Sequence, residues 1–249
     1  MSVDGPATAA RVLAVLDLTS LGEDDTSETI VGLCGAAAGG GHPAAVCVYP
    51  EHIETARRVL DAQGAADVAV ATVVNFPDGS NDLGRALRET RRAIAAGADE
   101  IDIVFPWRAY MSGDRESGPL MLQRCKEICG ARPLKAILET GELGDPLLIR
   151  ELSHTALAAG ADFIKTSTGK SARGATIESA RVILECLRER DGRGGFKAAG
   201  GIQNIAEAGR YLALADEILG PDWATSANFR IGANSLLKKL RSVLNQQDN

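Results

Sequence analysis

Lysine is rare inside an apolar strand, because an ammonium is costly to bury without a partner. This sequence nevertheless sets one lysine in Phe163-Ile-Lys-Thr166 and a second in Phe196-Lys-Ala-Ala199, with an aspartate, Asp102, between Ile101 and Ile103. One reading is a structural ion pair between Lys165 and Asp102. Lys197 argues for another, since it leaves two cations and one shared carboxylate among apolar neighbours. A lysine attacks a carbonyl only as the free amine, so its proton must be made easier to lose. Desolvation and a nearby cation both act in that direction. Two unit charges ~4 Å apart at an effective dielectric of ~20 repel by about 4 kcal/mol, roughly a thousandfold in acidity. Two such lysines therefore divide into a nucleophile and an electrostatic helper. Asp102 can move protons between them and a substrate, directly or through a water.

Glycine-rich turns supply a second kind of chemistry. Thr166-Ser-Thr-Gly-Lys170, Gly200-Gly201 and Gly232-Ala-Asn-Ser235 each follow a strand-like run. Backbone N–H groups in such turns, opening onto helix N-termini, can cradle a phosphate. Lys170 adds a charge and Ser235 a hydroxyl. A P-loop is excluded, because the glycine it requires at position 164 is Ile164. His42, His52 and His154 show no metal-ligand spacing and read as surface or cap residues, so no metal is expected.

What must position these groups is a repeated strand–helix unit. Strand-like runs cover Leu13–Leu18, Ala44–Val48, Ala69–Val74, Glu100–Phe105, Leu134–Glu139, Asp162–Thr166, Phe196–Ala199 and Asn228–Ile231. Helical stretches lie between them, around 26–38, 51–63, 82–96, 117–130, 146–159, 176–190, 204–219 and 233–244. Continuous apolar strands alternating with helices predict a parallel sheet with helices on its faces. Eight pairs in 249 residues average about 31 residues each, which predicts one α/β domain over 1–249, a closed (β/α)₈ barrel of the TIM type. A doubly wound open sheet is the runner-up, without a Gly-x-Gly-x-x-Gly after the first strand. Gly64-Ala-Ala-Asp67, Gly97-Ala-Asp99 and Gly160-Ala-Asp162 echo one another as helix ends leading into strands. In such a barrel the strand C-termini carry the active site. Here they bear Asp17, Cys47, Asn75, Asp102, Glu139, Lys165 and Lys197.

Composition narrows the partners. A formal charge of −6 argues against nucleic acid or an anionic membrane. Five cysteines without a Cys-x-x-Cys pair read as reduced thiols, with Cys125 and Cys129 packed against the sheet. Asp17 interrupts the only candidate signal segment, and no 18-residue apolar run exists, so a soluble cytoplasmic protein is expected. A homodimer is left open.

The quoted segments, with Leu16-Asp-Leu-Thr19, Cys47-Val-Tyr-Pro50, Val74-Asn-Phe-Pro77, Gly97–Pro106 and Leu138-Glu-Thr-Gly-Glu142, resemble the deoxyribose-phosphate aldolase family. The match runs from the first strand to the last. It implies reversible cleavage of 2-deoxy-D-ribose 5-phosphate to acetaldehyde and D-glyceraldehyde 3-phosphate, within deoxyribonucleotide catabolism, without a cofactor. By motif, Lys165 matches the Schiff-base lysine, Lys197 the lysine that perturbs it and Asp102 the proton relay. Asp17, Cys47, Thr19 and Thr168 match the substrate pocket. Gly169, Lys170, Gly200, Gly201, Gly232, Asn234 and Ser235 match the phosphate site. Ala198 replaces a more usual proline, which predicts a slightly looser loop, and Asn234 replaces a serine. The polar tail Asn245–Asn249 lacks the tyrosine some members carry, which predicts slower turnover. Three rivals remain: another Schiff-base aldolase or transaldolase, a non-catalytic sugar-phosphate-binding barrel, and a metal-dependent epimerase.

Overall fold

Residues 5–245 are described by a computed structural model. Eight parallel strands close into a barrel in sequence order. They are β1 (Leu16–Thr19), β2 (Ala45–Val48), β3 (Ala69–Val74), β4 (Glu100–Val104), β5 (Leu134–Ile137), β6 (Phe163–Lys165), β7 (Gly195–Ala199) and β8 (Phe229–Ala233). The helices are α1 (Pro6–Ala14), α2 (Ser27–Ala38), α3 (Ile53–Ala62), α4 (Leu83–Ala95), α5 (Trp107–Met111), α6 (Ser117–Cys129), α7 (Thr140–Leu143), α8 (Pro146–Ala158), α9 (Ile177–Arg188), α10 (Ile205–Leu219) and α11 (Leu236–Asn245).

Alternation along each strand sorts its residues into two sets. Leu16, Leu18, Val46, Val48, Ile101, Ile103, Ile164, Phe196 and Ile231 join one large core shared with the helices. The other set faces the barrel interior and is uneven in character. Ala45, Cys47, Ala71 and Val73 make a small apolar cluster with Leu21 on the β2–β3 side. Asp17, Glu100, Asp102, Lys135, Lys165, Lys197 and Arg230, all buried, occupy the remainder.

Helix starts are written in short polar side chains. Thr26 and Thr29 form a reciprocal cap on α2, as do Thr176 and Ser179 on α9. Asp82, Asp145 and Asn204 accept from backbone N–H groups of the first turns of α4, α8 and α10. The Gly-Ala-Asp echo has a physical origin. Gly97 and Gly160 take left-handed φ values of 94° and 98° just beyond their helices. The aspartate that follows reaches sideways, Asp99 accepting from the Val70 N–H and Asp162 from the Leu134 N–H. Each thereby ties the start of its strand to the strand before.

Three expectations change. The run from Leu13 is not all strand, because Leu13 belongs to α1 and the strand begins at Leu16. An apolar stretch this short does not separate helix from strand by period alone. In α1, Ala9, Val12 and Leu13 are buried, and Arg11 pairs with Asp216 of α10 at 2.7 Å. The strand expected up to Glu139 stops at Ile137, since Glu139 is left-handed at φ 56° and α7 follows. His52 is not a surface residue. It occupies the N-cap position of α3 without a side-chain cap and is only 9% exposed.

His42 pairs with Asp67 and His154 with Glu189, both in exposed positions. All five cysteines are free thiols and buried. Among the described residues no helix is long and apolar enough to cross a membrane. Asn245 closes α11, and the rest of the polar tail, 246–249, lies outside the described residues.

Gly195 shows how closely the lower interior is filled. A Cβ there would lie 2.4 Å from the Phe163 ring, whose face is 5.9 Å from the Lys135 ammonium. Gly195→Ala is therefore expected to overpack the interior and cost about 2 kcal/mol, read as a lower urea midpoint at unchanged slope. A midpoint within error of the parent would show that Phe163 has room to move.

Candidate active site

Parallel pairing in register puts the chemistry-bearing residues side by side. Lys165 lies beside Lys197, Lys197 beside Arg230, and Asp102 beside Lys135. Asp102 is the hub. Its Oδ2 accepts from Lys165 Nζ at 2.8 Å and from Lys197 Nζ at 2.7 Å, and its Oδ1 accepts from Lys135 Nζ at 2.8 Å. Lys197 also donates to Asp17 Oδ2. Arg230 forks between Asp17 and Glu100, at 2.7 and 2.6 Å, and Glu100 accepts from Lys135 at 2.6 Å.

The expected trio is thus part of a set of seven, with four cations and three carboxylates. Lys135, Glu100 and Arg230 escaped the sequence reading, although Leu134-Lys-Ala-Ile137 and Phe229-Arg-Ile231 carry the same signal that marked Lys165. Glu100 is the first residue of its strand-like run, so apolar neighbours do not enclose it on both sides as they do Asp102.

The lysines separate in basicity, as the sequence led one to expect, but the weights differ. Burial is the largest influence on Lys165 and lowers its pKa; Asp102 opposes this, and the Lys197 cation adds to it. Burial also bears most heavily on Lys197, yet Asp102 and Asp17 together outweigh it and hold Lys197 firmly as an ammonium. Lys135 is raised in the same manner by Asp102 and Glu100 against burial. Lys165 has one carboxylate contact, and that oxygen is shared. The low basicity of Lys165 thus comes from desolvation and a shortage of negative charge, more than from repulsion between two lysines.

For Asp102, burial favours the neutral acid, but Lys135, Lys165 and Lys197 overcome it and keep the carboxylate ionised. Asp17 follows the same pattern under Lys197 and Arg230. Cys47 is fully buried in the apolar wall, and burial raises its pKa, so it stands as a neutral thiol.

Above this floor opens a cavity of about 520 Å³. Lys165 reaches it from below, and Thr19, Thr168, Gly169, Lys170, Gly200, Gly201, Gly232 and Asn234 line it. All three expected glycine turns therefore meet over the lysine. Ser20, Leu21, Gly22 and Asp25 close the remaining side, a contribution the sequence did not reveal. Asp17, Cys47, Asp102 and Lys197 are not part of this lining and lie buried, and Ser235 is exposed beyond its edge.

The rim is fastened from beneath. Glu139 accepts from Ser171 Oγ at 2.9 Å and from the Thr168 N–H, both in the turn after β6. A Cβ on Gly174 would lie 2.2 Å from the Gly200 carbonyl oxygen, so that turn rests directly on the next one. The turn after Ala198 is held as well, since Thr166 Oγ1 exchanges hydrogen bonds with both the N–H and the C=O of Ala199. Lys170 Nζ spans the mouth to the Leu21 carbonyl at 2.6 Å. Among the described residues no cluster of three potential metal ligands occurs.

Because Asp17 and Asp102 are held below their ordinary values, their contribution to stability is complete above the unfolded-state value of about 3.9 and is lost as pH falls below it. The protein should lose stability steeply below about pH 4. Asp17→Asn, less stable at neutral pH, should show a shallower slope in that range by urea unfolding at several pH values. Identical slopes would mean that Asp17 titrates normally in the folded protein.

Residues 11–216 match the family described as DeoC/LacD family aldolase. A solved structure from Toxoplasma gondii ME49, described as a candidate deoxyribose-phosphate aldolase, is 27% identical, covers 97% of this chain and 95% of its own, and superposes with a TM-score of 0.90. QR15, described as an aldolase, is 28% identical over 93% of this chain and 96% of its own, with a TM-score of 0.80. Deoxyribose phosphate aldolase from Aeropyrum pernix, described as tetrameric, shares the fold at 22% identity, 100% and 97% coverage and a TM-score of 0.75. With the family spanning most of the barrel and every strand that carries an interior charge except β8, this chain belongs to the DeoC/LacD family of aldolases.

Proposed function

We propose that the protein cleaves 2-deoxy-D-ribose 5-phosphate reversibly to acetaldehyde and D-glyceraldehyde 3-phosphate through a Schiff base on Lys165. The observation that carries this reading is a lysine biased toward the free amine at the floor of a cavity rimmed by three glycine turns and a fourth lysine. Family membership and the likeness to the Toxoplasma structure support it.

In this reading the Lys165 amine adds to the C1 aldehyde, and the carbonyl oxygen leaves as water, giving an iminium. The C2–C3 bond then breaks. Its electron pair flows into the iminium to form an enamine, while the C3 hydroxyl gives up its proton and becomes the aldehyde of D-glyceraldehyde 3-phosphate. Protonation of the enamine at C2 and addition of water release acetaldehyde and restore the amine. Asp102 Oδ2, shared by Lys165 and Lys197, is the route by which a proton passes between the two nitrogens. Asp17 favours the charged form of Lys197, to which the proton returns. The Cys47, Ala71 and Val73 cluster adds no charge to the barrel interior, in keeping with a two-carbon donor that has no hydroxyl of its own.

The phosphate belongs at Gly169, Gly200, Gly201, Gly232 and Asn234, with Lys170 turning from the Leu21 carbonyl to meet it. Cytoplasmic location and action in deoxyribonucleotide breakdown go with this reading.

Borohydride reduction in the presence of deoxyribose 5-phosphate or acetaldehyde should trap an adduct on the Lys165 peptide, and Lys165→Ala should neither trap nor turn over. An adduct on Lys197 would exchange the roles of the two lysines. No adduct at all, in protein shown to bind the sugar phosphate, would defeat the proposal in favour of a binding role. Lys197→Leu removes a cation that pushes Lys165 down, so the acid limb of its pH–rate profile should rise and the rate at neutral pH should fall at least tenfold, about 1.4 kcal/mol. An unmoved limb would remove Lys197 from the tuning of the nucleophile.

A further inference from the structure

Six of the seven interior charges form a closed circuit. Asp17 bonds Arg230, Arg230 bonds Glu100, Glu100 bonds Lys135, Lys135 bonds Asp102, Asp102 bonds Lys197, and Lys197 returns to Asp17. The signs alternate around it, so three cations and three carboxylates cancel. Lys165 is the seventh group, attached through the Asp102 oxygen that also accepts from Lys197. Protonated, it leaves the interior with one unbalanced positive charge; as an amine it leaves the interior neutral. Uncompensated charge is what a buried site tolerates least.

We infer that Arg230 is a positioning residue for the nucleophile: by occupying Asp17 and Glu100 it reserves Lys197 and Lys135 for Asp102, and so keeps Lys165 unprotonated. The inference rests on Lys165 being the reactive amine. Arg230 bonds to neither Lys165 nor Asp102 and does not line the cavity. All three nitrogens of its fork are engaged, with Nη1 at 2.7 Å from Asp17, Nη2 at 2.6 Å from Glu100 and Nε at 2.6 Å from the Ser226 carbonyl. A guanidinium stays charged wherever the protein is folded, whereas a lysine here would add another amine able to give up its proton in place of Lys165.

The groups around Lys165 can be counted strand by strand. Asp17 comes from β1, the neutral thiol of Cys47 from β2, Glu100 and Asp102 from β4, Lys135 from β5, Lys197 from β7 and Arg230 from β8. From β3, Ala71 and Val73 bring no charge. Without Arg230, two lysines face three carboxylates. Asp17 and Glu100 then draw on Lys197 and Lys135, and Asp102 is left to hold Lys165 as an ammonium. Removal of Glu100 has the opposite sign, leaving three fixed cations against two carboxylates.

The test compares Arg230→Met, Glu100→Gln and the double variant. Reductive methylation of Lys165 with formaldehyde and cyanoborohydride, read by peptide mass mapping across pH, reports the free amine without requiring turnover. The pH–rate profile for deoxyribose 5-phosphate cleavage is recorded alongside. In Arg230→Met the labelling limb should rise by about one pH unit or more, in Glu100→Gln it should fall, and in the double variant it should return toward the parent. A merely structural Arg230 gives no such pair of opposite shifts and no restoration. Limbs that stay together or move in one direction overturn the inference, even with cleavage intact in the parent. Limbs that part as stated in a protein that cleaves nothing uphold it and defeat the aldolase reading instead. Should Arg230→Met not fold, the fall in Glu100→Gln and its reversal in the double variant decide.

Discussion

Everything at this site depends on the rule that a buried interior must come close to electrical balance. Water cannot solvate the charges inside the barrel, so each must be answered by another within hydrogen-bond reach. Asp102 answers three lysines with one negative charge. That imbalance would be destabilising if all three were ammonium ions, and it is relieved if one of them is not. Lys165 is the one with the weakest claim. Lys135 has Glu100 as well, Lys197 has Asp17 as well, and Lys165 has only a share of Asp102 and a position beneath the cavity.

The barrel is suited to this because register, and not loop geometry, sets the spacing. Lys165 and Lys197 are Cα partners on adjacent strands, and so are Asp102 and Lys135. Their ammonium and carboxylate groups meet because the backbone ladder is fixed, and a ladder is harder to deform than a surface loop. The same economy appears at the bottom, where Gly195 admits the Phe163 ring beneath Lys135 and so shields the circuit on that side. The rim is built on the other principle. Its turns use glycines at positive φ, 79° at Gly169, 90° at Gly200 and 83° at Gly201, where backbone N–H groups rather than side chains can be presented. Rigid side chains carry the charges below, and bare backbone is presented at the rim above.

Much of this was legible in the sequence because the signals are local. Eight apolar runs separated by helical stretches predict the closed barrel, and the predicted helix bounds fall within a few residues of those observed because their caps, such as Thr26, Asp82 and Thr176, are themselves local features. Lys165, Lys197 and Asp102 stood out as charges in apolar company. Lys135 and Arg230 carried the same local signal and were passed over; what no single segment announces is how these charges pair. Arg230 and Glu100 lie 130 positions apart and acquire meaning only once the barrel closes β8 against β1 and both reach Asp17 or its neighbours. The Ser20–Asp25 side of the cavity follows from the path of the turn after β1, which no motif encodes. Leu13 was read as strand because the apolar face that α1 packs against α10 and α11 looks, from one segment, like a strand of a sheet.

The way charge is distributed also explains why the interior is not uniformly polar. A further carboxylate on the β2–β3 side, in place of Cys47 or Val73, would give Lys165 a counterion beyond its share of Asp102 and favour its ammonium form. A further cation there would weaken the hold of Asp102 on Lys135 and Lys197. Only a wall without charge leaves three cations against three carboxylates apart from Lys165, and Ala45, Cys47, Ala71 and Val73 provide such a wall. Cys47 fits because burial keeps it as a thiol. The apolar quarter therefore bears on the basicity of Lys165 as much as the ions opposite it: it offers no second carboxylate to favour the ammonium.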